Sequence, residues 1–123
     1  MIPFDGQITF CSTADLAATA RFYEGVLELP LVLDQGACRI YRVAPNAYVG
    51  FCQHLDAAGA DGLILTLLIE DVTGTYQRLR RKGVEFEQPP RHNPRFQIEH
   101  CFLRDPNGIL IEIQRFLDPR WSG

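Results

Sequence analysis

The first half of the chain alternates between strand-like and helix-like spacing of its apolar residues. Gln7 to Ser12 is rich in β-forming residues and predicts a first strand. From Leu16 to Leu27 apolar residues recur at steps of three and four, which predicts an amphipathic helix of about three turns that Pro30 ends. Ser12 and Thr13 are candidate caps for it. Three short strands are predicted next: Leu31 to Asp34, Arg39 to Val43, and Tyr48 to Gln53.

The second half repeats this order. Leu63 to Ile69 is an apolar strand, Asp71 is a candidate N-cap, and Gly83 is a suitable residue to end the helix between them. A short strand is predicted at Val84 to Glu87 and a Pro-rich loop at Gln88 to Arg95. Two strands joined by a turn follow, at Phe96 to Arg104 and at Ile109 to Phe116. When the two halves are aligned at an offset of 56 residues, Asp15 matches Asp71 and both halves have the predicted order β-α-β-β-β.

Length and composition place these modules in one α+β domain. The 123 residues suit a single domain, with module one at about residues 6–55 and module two at about 62–117. An apolar fraction of 46% and a charged fraction of 22% exclude disordered and low-complexity classes. The net charge of −3 argues against nucleic acid as a partner, and no apolar run approaches the ~20 residues of a membrane span. We expect a cytoplasmic protein, since no secretory signal is visible.

The four cysteines lack the C-x-x-C spacing of zinc and redox sites. Cys11, Cys38, Cys52 and Cys101 stand mostly in apolar, strand-like surroundings. In a reducing compartment they are predicted to be small buried hydrophobic residues rather than disulfide partners.

Two local motifs, in this order, resemble a known superfamily. The first lies in Asp15 to Leu29, with a Phe22-Tyr23-x-x-Val26-Leu27 core, and the second is the Asp-Pro-Asn-Gly turn within Phe102 to Ile113. Together they resemble the vicinal oxygen chelate superfamily, which includes glyoxalase I, bleomycin-resistance proteins and extradiol dioxygenases. The resemblance implies a curved mixed sheet around a cup-shaped cleft, helices outside, and a homodimer. It does not imply one reaction, because a fold does not fix a function.

Catalytic members of that superfamily hold one divalent metal with ligands from the first and last strands of each module. By the resemblance, those positions are Ile8, Gly50, Leu65 and Glu112, of which only Glu112 can bind a metal. A slip of one residue would substitute Gln7 for Ile8, whereas no slip brings a histidine into the first strand of module two. No cofactor is therefore predicted. The alternative is one zinc, nickel, manganese or iron ion with atypical ligands.

The Asp-Pro-Asn-Gly turn sets the neighbours of Glu112. If Gly108 is left-handed in a three-residue loop, Phe102 stands opposite Glu112, and His100 shares their face near Gln114. A two-residue loop would place Cys101 opposite Glu112 instead. Glu112 and His100 are the candidate catalytic residues; the alternatives are an exposed strand glutamate and a hydrogen-bonded histidine at the rim of a cavity.

An apolar, partly aromatic wall is predicted around these two residues. Its candidate ligand contacts are Ile8, Phe10, Tyr48, Gly50, Leu65, Leu67, Phe102 and Gln114, with Gly50 leaving open space. Arg91 or Arg95 is a candidate for holding a substrate carboxylate, against the alternative of a solvated loop. His54 and His92 are expected at the surface.

The lack of metal ligands favours a protein that binds a small, partly aromatic molecule in a metal-free cup. The alternatives are a divalent-metal-dependent lyase, isomerase or dioxygenase that uses Glu112 with Gln7 or His100, and an interaction module without catalysis. The sequence leaves open whether the chain is an enzyme.

Overall fold

The computed structural model describes residues 1–53 and 63–121 and divides the chain into two compact units, Met1–Gly59 and Ala60–Gly123. Each unit contains one predicted module, and each is a four-stranded mixed sheet with a helix. This confirms the α+β class and the β-α-β-β-β order. His54 lies outside the described residues.

The first unit orders its strands β1-β4-β3-β2. The first strand pairs in parallel with the last, and the other pairs are antiparallel. The elements are β1 (Gln7–Ser12), α1 (Leu16–Ala20), β2 (Leu31–Asp34), β3 (Cys38–Ala44) and β4 (Ala47–Cys52).

The first helix differs from its prediction. After the five residues of α1 the backbone continues as a π-helix over Arg21–Val26, and the side chain of Asp15, not of Ser12 or Thr13, caps its start by accepting from the Ala18 amide at 3.0 Å. Spacings of three and four do not separate α- from π-helical turns, so the sequence pattern could not show this.

Aromatic packing forms the core of the first unit. The Tyr23 ring lies 6.0 Å from Tyr41 and 4.4 Å from Phe51, and all three are buried. The Tyr41 hydroxyl donates to the Glu24 carboxylate at 2.9 Å. Burial, followed by this hydrogen bond, raises the pKa of Tyr41 to about 12.

A disulfide between Cys38 and Cys52 joins β3 to β4, so the expectation of unpaired cysteines is wrong for these two. The two residues stand directly opposite each other in the antiparallel ladder. That register brings together cysteines 14 residues apart, which spacing motifs do not reveal. Cys11 and Cys101 are buried thiols, as expected.

The second unit repeats the topology as β5-β8-β7-β6, with β5 and β8 parallel. Its elements are β5 (Ile64–Leu68), α2 (Val72–Arg81), β6 (Phe86–Asn93), β7 (Ile98–Arg104) and β8 (Leu110–Phe116). Asp71 caps α2 by accepting from the Gly74 amide at 2.9 Å, and Gly83 follows the helix with a φ of 91°.

The predicted Pro-rich loop is wrong, since β6 runs through Pro89 and Pro90 as far as Asn93. The strand lies at the edge of its sheet and is interrupted by register shifts on both sides of Gln88. Edge strands and bulges tolerate proline because one row of backbone N–H groups needs no partner there.

Candidate functional site

A buried carboxylate–imidazole pair lies on one face of the second sheet. Nδ1 of His100 is 2.6 Å from Oε2 of Glu112, and the two residues are 8% and 9% exposed. His100 lies on β7 and Glu112 on β8. In the ladder between these strands Phe102 pairs with Glu112 and His100 with Gln114, so His100 and Glu112 are diagonal neighbours on one face.

The turn that sets this register has the predicted geometry. Gly108 has a φ of 80°, and the Asp105 amide donates to the Ile109 carbonyl at 3.0 Å. The Asp105 carboxylate accepts from the amides of Asn107 and Ile109, both at 2.8 Å. The three-residue loop is confirmed, and the alternative with Cys101 opposite Glu112 is wrong.

Two further donors complete the surroundings of Glu112. The Thr66 hydroxyl donates to Oε1 at 2.8 Å from the neighbouring parallel strand. The amide orientation of Gln114 that satisfies the network turns its nitrogen to the carboxylate, 2.9 Å from Oε1 and 2.8 Å from Oε2. Four hydrogen bonds therefore converge on the two carboxylate oxygens and fix the position of the side chain.

Phe102 supplies the aromatic surface beside this pair. Its ring centroid lies 4.9 Å from that of His100, with the ring planes at 65°. Gln88 pairs with Phe102 across the β6–β7 ladder and so extends the same face. The face thus combines a charged, hydrogen-bonded centre with an aromatic neighbour.

Leu65 and Leu67 are not brought to this face. Side chains alternate along a strand, and Thr66 contacts Glu112, so the two leucines point to the opposite side of β5. Ile64 shares the face of Thr66. It lies seven positions before the cap residue Asp71, and Ile8 likewise lies seven positions before the cap residue Asp15. The predicted equivalence of Leu65 with Ile8 is therefore wrong by one residue.

The first sheet gathers the other predicted contacts on one of its faces. In the β1–β4 ladder Ile8 pairs with Tyr48 and Phe10 with Gly50, and Ile8 and Phe10 are 43% and 47% exposed. The Phe10 ring covers Gly50, since a Cβ there would lie 2.5 Å from Cε1 of Phe10. The expectation of open space at Gly50 is wrong, because this ring fills it.

Burial also shapes the chemistry of Cys101, on the opposite face of β7. Burial first, then the nearby charges of Glu99 and Glu112, raise the pKa of its thiol to about 11. The thiol is therefore kept protonated and unreactive at neutral pH.

The comparisons with known proteins agree with this fold. The model of the Glyoxalase/Bleomycin resistance protein/Dioxygenase superfamily matches residues 8–113. The chain belongs to this superfamily. A curated relative from Bacillus subtilis (strain 168), the uncharacterized protein YraH, is 26% identical in an alignment 117 positions long, which covers 84% of this chain and 91% of YraH.

Two solved structures illustrate how closely the superfamily fold is kept. A glyoxalase/bleomycin resistance protein/dioxygenase from Nocardioides has a TM-score of 0.78 at 19% identity, over 100% of this chain and 89% of that one. A lactoylglutathione lyase from Agrobacterium tumefaciens has a TM-score of 0.79 at 18% identity, over 98% and 100% of the two chains. At these identities the likeness concerns the fold alone.

Among residues 1–53 and 63–121, the side chains at the mapped positions do not fit the divalent metal that the superfamily implies. Within residues 1–53 and 63–121, no three His, Cys, Asp or Glu side chains are grouped so as to hold a metal ion. Ile8, Gly50 and Ile64 offer no ligand atom, and both oxygens of Glu112 already accept hydrogen bonds. Gln7, the atypical ligand considered above, is exposed and alternates with Ile8 to the opposite face of β1.

The remaining candidates lie at the surface. His92 is exposed, as expected, and so are Arg91 and Arg95. Arg95 lies over the Phe96 ring at 5.1 Å, whereas Arg91 pairs with His100 in the β6–β7 ladder. No helix in the described ranges is long and apolar enough to cross a membrane.

Proposed function

We propose that this protein binds a small, partly aromatic molecule without a metal ion, on the face of the second sheet that carries Glu112, His100 and Phe102. One observation carries the proposal: Glu112 accepts hydrogen bonds from His100, Thr66 and Gln114. A carboxylate held in this way is an organising centre for a polar contact rather than an open metal ligand.

The combination of groups indicates the kind of ligand. Binding sites for small molecules pair apolar and aromatic surface with a few polar groups in fixed positions. Here Phe102 supplies the aromatic surface and the His100–Glu112 pair supplies the fixed polar group. On the face of the first sheet, the predicted contacts with the ligand are Ile8, Phe10 and Tyr48.

A titration with indole, a neutral aromatic probe, tests this proposal. Two-dimensional NMR spectra of the protein kept in EDTA are expected to show saturable shifts centred on His100, Phe102 and Thr66. Glu112→Gln is expected to keep the affinity within about tenfold, because the substitution removes a charge but no metal. Asp118→Asn is the control, because it also replaces a carboxylate by an amide, at a residue that follows β8 and pairs with Arg120; it is expected to leave the shifts unchanged.

Two results would overturn the proposal. One is the absence of any saturable shift at these residues. The other is binding that appears only after a divalent ion is added and disappears in Glu112→Gln, which would favour the metal-dependent enzyme instead.

A further inference from the structure

The hydrogen bond between His100 and Glu112 determines which ring nitrogen of His100 carries the proton. The carboxylate accepts from the Thr66 hydroxyl and the Gln114 amide as well as from Nδ1. An ionised carboxylate has no proton to donate, so Nδ1 must be the donor. In the neutral imidazole this leaves Nε2 with a bare lone pair.

Nε2 of His100 is an acceptor atom that remains for a ligand. Within the described part of the chain, His100 makes only its Nδ1 hydrogen bond. Among the described residues Nε2 has no hydrogen-bond partner and is not fully buried, so it can be reached from solvent. Phe102 packs on the ring with its centroid 4.9 Å away and so limits the ring's freedom to turn.

Arg91 adds a positive charge beside this acceptor. It stands directly opposite His100 in the β6–β7 ladder, and such paired residues point to the same face with Cβ atoms about 5 Å apart. Its side chain is exposed and has no hydrogen bond or ion pair with residues 1–53 or 63–121. The neighbouring Arg104 on the same face is, by contrast, already bonded to Glu87 and to the Gly108 carbonyl.

We propose that this face selects aromatic ligands that carry both an N–H or O–H donor and an acidic group. The donor bonds to Nε2 of His100, and the acid contacts the guanidinium of Arg91. Glu112 is the positioning residue, because it fixes the tautomer that makes Nε2 an acceptor. This specificity rests on the proposed function, since it concerns the same face.

The tautomer can be measured without any ligand. Long-range ¹H–¹⁵N spectra of the full chain are expected to show a protonated Nδ1 and a bare Nε2 for His100, with exposed His92→Gln used to assign the signals. In Glu112→Gln the new amide can donate to Nδ1, so the proton is expected to move to Nε2. A protonated Nε2 in the wild type would overturn the proposal.

Three related probes then test the ligand chemistry. Indole has an N–H donor, 1-methylindole lacks it, and indole-3-acetate adds an acid. We expect 1-methylindole to bind about five- to tenfold more weakly than indole, which is one net hydrogen bond. We expect indole-3-acetate to bind about three- to fivefold more tightly than indole, as a solvent-exposed charge pair allows.

Matched variants assign each effect to its residue. Arg91→Gln is expected to remove the advantage of indole-3-acetate, whereas Arg115→Gln, an exposed arginine on the other side of the sheet, keeps it. Glu112→Gln is expected to remove the preference for indole over 1-methylindole. Equal binding of all three probes would overturn the specificity and leave the proposed function standing. Failure of every probe would contradict the proposed function, while the tautomer measurement still decides the arrangement at His100.

Discussion

At the scale of single residues, the proposed site depends on the surroundings of Glu112. The carboxylate is 9% exposed and both of its oxygens accept hydrogen bonds. Such a group is costly to disturb, because each lost partner leaves buried charge without compensation. The charge of Glu112 also contributes to the raised pKa of the Cys101 thiol.

The first residue-scale prediction concerns Cys101. Because burial and two carboxylates raise its pKa to about 11, from 9.0 for an ordinary thiol, its thiolate fraction at pH 8 falls by about a hundredfold. Alkylation by iodoacetamide, followed by peptide mass spectrometry, is expected to be at least that much slower in the folded protein than in urea. Its rate is expected to rise with pH up to about pH 11. Equal labelling rates in the two states would contradict this account.

At the scale of elements, the Asp-Pro-Asn-Gly turn and the Asp71 cap of α2 could be predicted from the sequence, whereas the cap of α1 and the face of β5 could not. The Asp-Pro-Asn-Gly turn correctly predicted that Phe102 opposes Glu112, since a left-handed glycine fixes the loop length. The run from Leu63 to Ile69 gave no such guide, because an apolar strand does not alternate and so does not reveal which face Leu65 occupies.

Other features of the elements depend on partners that are distant in sequence. Pro89 and Pro90 suggest a loop until β6 is seen to be an edge strand with register shifts. The disulfide of Cys38 and Cys52 follows from the pairing of β3 with β4, which no local spacing encodes. The sequence predicts that Glu112 and His100 share a face with Gln114 nearby. It does not predict the hydrogen bond from Thr66, because that depends on the register of β5 against β8.

The packing of the Phe10 ring of β1 over Gly50 of β4 gives a prediction at the scale of elements. Gly50→Ala is expected to destabilise the protein by about 1 kcal/mol, because its Cβ would lie 2.5 Å from Cε1 of Phe10 and force this half-exposed ring to move. Gly25→Ala is the matched control, since a Cβ there meets nothing within 4 Å. Urea unfolding of both variants measures the difference.

A double variant checks the cause of that loss. Phe10→Ala removes the ring that Gly50→Ala displaces, so the second substitution is expected to cost much less in that background. If Gly50→Ala destabilises equally with and without the Phe10 ring, or behaves like Gly25→Ala, the packing described for this face is wrong.

At the scale of the whole molecule, membership of the superfamily explains the duplicated architecture but not the ligand. The homodimer stays a prediction at this scale. The edge strand β2 supports it with three consecutive exposed apolar side chains, Leu31, Val32 and Leu33. Edge strands of this kind are normally covered or protected by charge.

Light scattering tests the dimer. The expected mass is twice the 13.9 kDa of one chain, and Leu33→Lys is expected to shift the molecule toward the single-chain mass. Leu68→Lys, which places the same charge at an exposed apolar residue of the second sheet, serves as the comparison. A wild-type protein of single-chain mass at 100 μM would contradict the prediction.

The central claim is that Glu112 is the centre of a hydrogen-bonded site and not a metal ligand, and its most direct test is the metal content of the protein. The measurement is elemental analysis of protein purified without an affinity tag, after incubation with nickel, zinc, manganese or ferrous iron and removal of loose ions. The account predicts far less than one retained ion per chain, with the same result for Glu112→Gln. One tightly held ion per chain that Glu112→Gln abolishes would contradict it.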